Sequence, residues 1–238
     1  HRRFYRDHAG SRDFSRCPQY PSVQDAFPRE RGGPIARRGF QYQDYIGVSI
    51  LLELLENDDA SIVFLETHDD FLLIYKTSDS SPDIAEYIQV KSDEKESLWS
   101  VADISRRTPR TESNSIVDTQ FSHDQYCEIT QFRIVTYRDV TPTLAILKQP
   151  RSSPARTESH PRFVSLTAEF QSRLPDLHSP KGNPITYWLK NCLWQTPGSK
   201  ENVHQNNINR VLRLAETIRG PIPPHYSANE HLMYAASA

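Results

Sequence analysis

The chain has 238 residues, 37% apolar and 24% charged, with 10 Phe, 11 Tyr and 3 Trp. This is enough for one sizeable core with an added helical lobe, and cramped for two full domains. That content excludes an intrinsically disordered chain. A formal net charge of −2 excludes nucleic-acid binding through an overall basic field, leaving that role to a local patch or to bound cations.

Cys17, Cys127 and Cys192 are too few and too far apart for a disulfide framework, and no pair has the CxxC spacing of a zinc site, which points to a reduced, cytosolic setting. No apolar stretch approaches the ~18 residues that span a bilayer. The first residue is His rather than Met, as expected of a fragment.

The segment 1–33 mixes seven Arg with Pro, Gly and Ser and shows no apolar period of either helix or strand, so residues 1–31 read as a flexible arginine-rich arm. From Pro34 to Asn57 the pattern changes: Ile35, Tyr42, Ile46, Ile50 and Leu54 lie on one stripe behind a helix-starting Pro, which predicts a helix. SIVFLE (61–66), FLLIYK (71–76) and EYIQVK (86–91) are short β-rich runs separated by polar turns. SLWSVADIS then starts a second helix capped by Ser97 or Ser100, and residues 106–125 read as a polar link. EITQFRIVTYRDV (128–140) predicts a longer, buried strand. A second Pro-bearing link follows, and then helices over 163–174, 185–194 and 201–219, the last stopped by Gly220 and Pro221.

The run EYIQVK carries the chemistry. Strand alternation puts Gln89 and Lys91 on one face and Ile88 and Val90 on the other. If FLLIYK pairs beside it, the acidic turn holding Glu66, Asp69 and Asp70 lies near that polar face. Hard oxygen ligands together with a lysine are what phosphodiester hydrolysis requires. The oxygens hold Mg²⁺, and the cation of the side chain steadies the attacking water and the developing charge. Asp70 is then the principal metal ligand, Gln89 offers its amide oxygen where a carboxylate is commoner, and Lys91 positions the water. The step along the chain from Asp70 to Gln89 falls within the range of the restriction-endonuclease pattern of Asp followed by Glu/Gln-x-Lys. Plainer readings stay open at this level. Asp69 and Asp70 also suit a turn, Lys91 also suits an edge strand guarded against aggregation, and Gln43 also suits the polar face of a helix.

Arg37 and Arg38, with Arg106, Arg107 and Arg110, are candidates for DNA-phosphate contact, against the plainer role of solvated charges near helix ends. His123 and Cys127 have a spacing that could serve a metal on a helix, but with no second pair they read as ordinary residues. Tyr187, Trp188 and Trp194 are spaced like helix core. There is no GxGxxG, Walker or GxSxG motif, so nucleotide binding by a phosphate loop and acyl-transfer hydrolysis find no support.

In order, GGPIARRGFQYQDYIG, FLETHDDFLLIY and EYIQVKS followed by LWSVADI resemble the double-stranded DNA nuclease module that forms the effector half of certain CBASS antiphage proteins, the CD-NTase-associated nucleases. The resemblance covers Gly32 to about Ile104, and more loosely FRIVTY and the helices up to Gly220. It implies an α/β fold, a restriction-endonuclease-like mixed sheet flanked by helices with additional C-terminal helices, over a nuclease domain at 32–220 with its core at 32–140 and a helical part at 160–220.

It also implies Asp70, Gln89 and Lys91 as the catalytic set, with Asp70, Gln89 and Glu66 around Mg²⁺ (or Mn²⁺) and Gln43 and Asp69 as accessories. The expected partners are double-stranded DNA and a cyclic-oligonucleotide or NTPase sensor, with activation by oligomerisation in the bacterial cytoplasm and no membrane. Residues 221–238 then form a tail or a linker toward a sensor. The chain departs from the family in showing no obvious sensor after Gly220 and in the segment that leads into GGPIARRG. Two other functions compete: a catalytically silent module serving assembly or DNA binding, and a self-contained restriction or repair nuclease.

Overall fold

Short β-branched and aromatic runs that cannot bury themselves alone are brought together here into one mixed sheet with helices on both faces. The computed structural model describes residues 3–5, 21–22, 41–56, 60–65, 69–77, 81–92, 97–107 and 115–219. Among these, the sheet runs in the order β1 (Arg3–Tyr5), β2 (Ala60–Leu65), β3 (Phe71–Tyr75), β4 (Ile84–Lys91), β5 (Ile129–Thr136) and β6 (Cys192–Gln195). β1 through β4 pair antiparallel in succession. β5 runs parallel to β4, and β6 parallel to β5. The helices are α1 (Gln41–Glu56), α2 (Val101–Ile104), α3 (Ile116–Phe121), α4 (Pro161–Arg173), α5 (Ile185–Asn191) and α6 (Lys200–Arg219). This is the expected α/β fold with a mixed sheet, flanking helices and further helices toward the C-terminus.

Period-2 alternation gives the sheet two apolar faces and therefore two cores. Ile62, Leu72, Tyr87, Phe132 and Ile134 face a large core completed by Trp99, Val101 and Ile104 around α2, Phe121 of α3, Phe163 and Phe170 of α4 and Trp188 of α5. Val63, Leu73, Ile88, Val90 and Val135 face a smaller core covered by Tyr42, Ile46, Ile50 and Leu54 of α1 and Val203 of α6. α1 sits close to β3 because residue 47 has no side chain: a Cβ on Gly47 would meet the Phe71 ring at 3.0 Å.

The smaller core ends in a buried ionic cluster. Arg133 of β5 donates to Glu53 of α1 at 2.8 and 2.9 Å and to the Tyr75 hydroxyl at 3.1 Å. It also donates to Glu86 of β4, which Arg151 approaches from the other side. Burial alone would raise the Glu86 carboxyl, but the guanidiniums of Arg133 and Arg151 hold it below the usual range. The cluster ties β3, β4, β5 and α1 together.

Several sequence expectations need correction. Within the arm expected to be flexible, Arg3–Tyr5 pairs along the outer edge of β2, and farther on the Pro21 carbonyl accepts from the Cys127 amide at 3.1 Å. So short a strand cannot register as a period. The supposed link at 106–125 contains α3, whose start is set by a capping box in which Ser115 and Asp118 satisfy each other's backbone amides. α2 is likewise capped by Ser100 rather than Ser97.

The helix expected over 185–194 stops at Asn191, and its last residues become β6. Arg156 explains the break: its buried guanidinium donates to the carbonyls of Leu189, Lys190 and Cys192 at 3.2, 3.3 and 2.6 Å, and to Leu147 and Gln149 at 2.5 and 2.9 Å. The freed Cys192–Gln195 segment supplies the edge of β5 with a partner. The core role expected of Trp188 and Trp194 stands, since they are 0% and 1% exposed, although Trp194 reaches the core from a strand.

Candidate active site

β4 is an interior strand, between β3 and β5, so the edge-guard explanation of Lys91 does not apply. Tyr87 belongs to the larger core, and Ile88 and Val90 to the smaller. By alternation, Gln89 and Lys91 follow Tyr87 onto the larger-core face at the strand's C-terminal end, where the apolar covering gives out. On β3, Phe71 pairs with Ile88, so Asp70 stands one step beyond the last pair, at the level of Gln89. The Asp70 carboxylate continues the ladder: its Oδ2 accepts from the Val90 amide at 2.7 Å.

Gln43, in the first turn of α1, donates from Nε2 to Asp70 Oδ1 at 3.2 Å. Both Asp70 oxygens are thus oriented. Asp69, 8% exposed, turns back, and its Oδ1 accepts from the Asp70 amide at 3.1 Å. Gln89 is 9% exposed, and its Oε1 is buried with no hydrogen-bond partner among the described residues. Leaving such an oxygen unsatisfied costs about 1–3 kcal/mol.

The structure therefore brings Gln43, Asp69, Asp70, Gln89 and Lys91 to one end of the sheet. Glu66, Arg37 and Arg38 lie outside the described residues. Arg106 and Arg107 stand at the end of α2, largely exposed, in ion pairs with Asp103 at 2.9 Å and Asp118 at 2.6 Å respectively. Burial would raise Asp118, but the Arg107 guanidinium and Ser115 hold it below its ordinary value.

A residue read as ordinary in the sequence joins the group. His123, 2% exposed, stacks on Tyr87 with ring centroids 4.5 Å apart and planes 3° from parallel, and its Nε2 lies 3.9 Å from Asp69 Oδ2. No local signal marks it, since four elements of the fold, β3, β4, α2 and α3, separate it from Asp69 along the chain.

The donor set fits a hard divalent cation: an oriented carboxylate on Asp70 and a buried amide oxygen on Gln89 that no described residue satisfies. Among the described residues no three His, Cys, Asp or Glu side chains cluster for a metal, and a set built on one carboxylate and one amide does not require it. An acid at the start of β3, and an amide and a lysine at the end of the interior strand β4, thus stand at one end of a mixed sheet.

Comparison with known proteins places the chain within the class that its sequence resembles. The family described as "Cap4, dsDNA endonuclease domain" matches residues 31–232, and the chain belongs to this family of DNA endonuclease domains. It is 22% identical over 199 residues to Anti-bacteriophage protein A of Escherichia coli (strain K12), a match covering 81% of this chain and 35% of that protein. Among solved structures it is similar to the Acinetobacter baumannii Cap4 SAVED/CARF-domain containing receptor with the cyclic trinucleotide 2′3′3′-cAAA, at 16% identity and a TM-score of 0.49 over 84% of this chain and 39% of that one. The Moraxella osloensis Cap4 receptor gives 17% identity and a TM-score of 0.45 over 84% and 41%. The chain thus spans well under half the length of these relatives. Among the described residues no helix is long and apolar enough to cross a membrane.

Proposed function

We propose that the chain hydrolyses double-stranded DNA with a divalent cation, Mg²⁺ or Mn²⁺ in its place, as the nuclease part of a bacterial antiphage protein acting in the cytoplasm. The observation that carries this reading is the buried oxygen of Gln89, which has no hydrogen-bond partner among the described residues, on the same strand face as Lys91 and at the level of the oriented Asp70. Asp70 and Gln89 hold the cation, and Glu66 is a further ligand. The bound cation supplies charge neutralisation at the scissile phosphate and a more acidic water. Gln43 and the Val90 amide fix the Asp70 carboxylate, so it does not reorganise when the substrate arrives. Lys91 presents a positive charge to the attacking water and to the charge that grows on phosphorus. Attack is in line, with no covalent intermediate on the protein.

Activation comes from a region outside this chain. A match that takes up only 35% of the antiphage relative is consistent with a further region in such proteins, and the family resemblance makes that region a sensor of cyclic oligonucleotides that draws copies of the nuclease together.

The reading is tested by incubating plasmid DNA with the full-length protein, a panel of cyclic oligonucleotides and Mg²⁺, beside Asp70→Ala and Lys91→Ala. Each variant is expected to lose on the order of 10²-fold or more in rate while keeping its fold. Equal cleavage by wild type and variants would overturn the site. Binding of DNA without cleavage under every condition would favour a silent module, and cleavage independent of nucleotide would favour a self-contained nuclease.

A further inference from the structure

Asp69 and Asp70 are neighbouring carboxylates at the same strand start, yet the fold sends them different ways. Asp70 reaches forward to the Val90 amide and Gln43. Asp69 is buried, accepts at Oδ1 from the Asp70 amide at 3.1 Å, and has Oδ2 3.9 Å from His123 Nε2. A buried side chain that accepts from its neighbour's backbone amide and lies 3.9 Å from an imidazole nitrogen, in electrostatic rather than hydrogen-bond range, is placed to orient its neighbour.

His123 is well placed to brace it. Its amide donates to the Gln120 carbonyl at 3.0 Å, and the Gln120 side chain is fixed by the Arg133 carbonyl at 3.2 Å and by Trp188 Nε1 at 3.3 Å. The next residue, Asp124, accepts from Ser179 at 2.6 Å and Asn183 at 2.7 Å. The ring is held flat on Tyr87, which precedes Gln89 on the same strand face. One aromatic plate therefore lies behind both proposed ligands: its Nε2 stands 3.9 Å from Asp69, next to Asp70 at the start of β3, and its ring packs on Tyr87 of the strand that carries Gln89.

We propose that His123, acting through Asp69, is a positioning residue of the metal site, and that its contact with the Asp69 carboxylate sets the affinity for the cation. Asp69 then acts on the metal only through Asp70 and never touches it. Outer partners of this kind contribute about 10- to 100-fold in metal affinity. The inference rests on the reading of Asp70 and Gln89 as metal ligands.

The test measures Mn²⁺ binding to the full-length protein by calorimetry, with thermal unfolding beside it, for wild type, Asp70→Ala, His123→Phe and His123→Gln. His123→Phe keeps an aromatic plate on Tyr87 but presents no nitrogen to Asp69. It is expected to bind Mn²⁺ about 10- to 100-fold more weakly while unfolding near the wild-type temperature. His123→Gln, which restores a side-chain N–H, is expected to recover most of that loss.

If His123→Phe binds Mn²⁺ as wild type does, the inference is overturned and His123 is packing alone. If both variants lose stability and affinity in proportion, with no recovery in Gln, the inference fails in the same way. If wild type itself shows no Asp70-dependent Mn²⁺ binding, the underlying metal reading fails first.

Discussion

Gln89 places a neutral amide where restriction-type sites more often hold a carboxylate, and that choice has a cost and a consequence. If the proposed site holds a cation, less negative charge surrounds it, and metal affinity is expected to be modest. Gln89→Glu adds a charge at a position 9% exposed. We expect it to lower the Mg²⁺ concentration for half-maximal cleavage by about tenfold, and to lower the unfolding temperature without metal because a buried carboxylate is then uncompensated. Unfolding curves with and without Mg²⁺, and cleavage across a Mg²⁺ titration, check both halves; an unchanged metal requirement would count against Gln89 as a ligand. At this scale the sequence was informative where chemistry is local. The alternation of Gln89 and Lys91 with apolar neighbours placed them on one face. His123 was not legible, because its meeting with Asp69 depends on how α3 docks under β4.

Elements were legible where a period ran long enough. α1, β3, β4, β5 and α6 follow their apolar patterns closely. α3 is only 6 residues long, short for a period, and its one local mark is the serine and the aspartate that box its first turn. Ser115 accepts from the Asp118 amide at 3.1 Å, and Asp118 accepts from the Ser115 amide at 3.0 Å. Ser115→Ala is expected to cost about 1 kcal/mol in denaturant unfolding, and, because α3 leads directly to His123, to weaken Mn²⁺ binding more than an equally destabilising change in α6. β6 was missed for a different reason: CLWQ is too short to show alternation, and what stops the preceding helix is Arg156, which lies beyond the whole of α4 in the chain. Its guanidinium, 3% exposed, gathers the carbonyls on both sides of the break. Arg156→Met is expected to leave those carbonyls unpaired and to lower the unfolding free energy by roughly several kcal/mol, with the loss concentrated at β6 in hydrogen exchange.

For the molecule as a whole, buried acids govern the response to pH. Glu86 is held below its ordinary value by Arg133 and Arg151 despite the opposing effect of burial. Burial likewise opposes Asp124, which Ser179, Asn183 and Lys181 hold low. A carboxyl with a depressed value in the folded state adds stability that is fully present above its unfolded value, about 3.9 for Asp and about 4.3 for Glu, and lost as pH falls through the folded value. The unfolding temperature is therefore expected to hold from neutral pH to about 5 and to drop steeply below about 4. Glu86→Gln is expected to flatten that drop and to cost about 3–5 kcal/mol at neutral pH, because it removes the buried carboxylate shared by Arg133 and Arg151 and leaves Arg133 only Glu53. A steep acid transition that survives this change would place its origin elsewhere.

The position of β6 also sets an order in time. Asp70, Gln89 and Lys91 leave the ribosome early, but the far edge of β5 stays open until Gln195 has been made. At about 5–20 residues per second the interval from Lys91 to Gln195 is roughly 5–20 s. A nascent chain through most of that interval carries every described residue of the proposed catalytic set without the strand, the Arg156 clasp on the helix end or the α6 cover that hold the sheet in register. An enzyme able to damage its own cell's DNA would thus be synthesised in an incompetent form and reach its working geometry only near the end of the domain's translation.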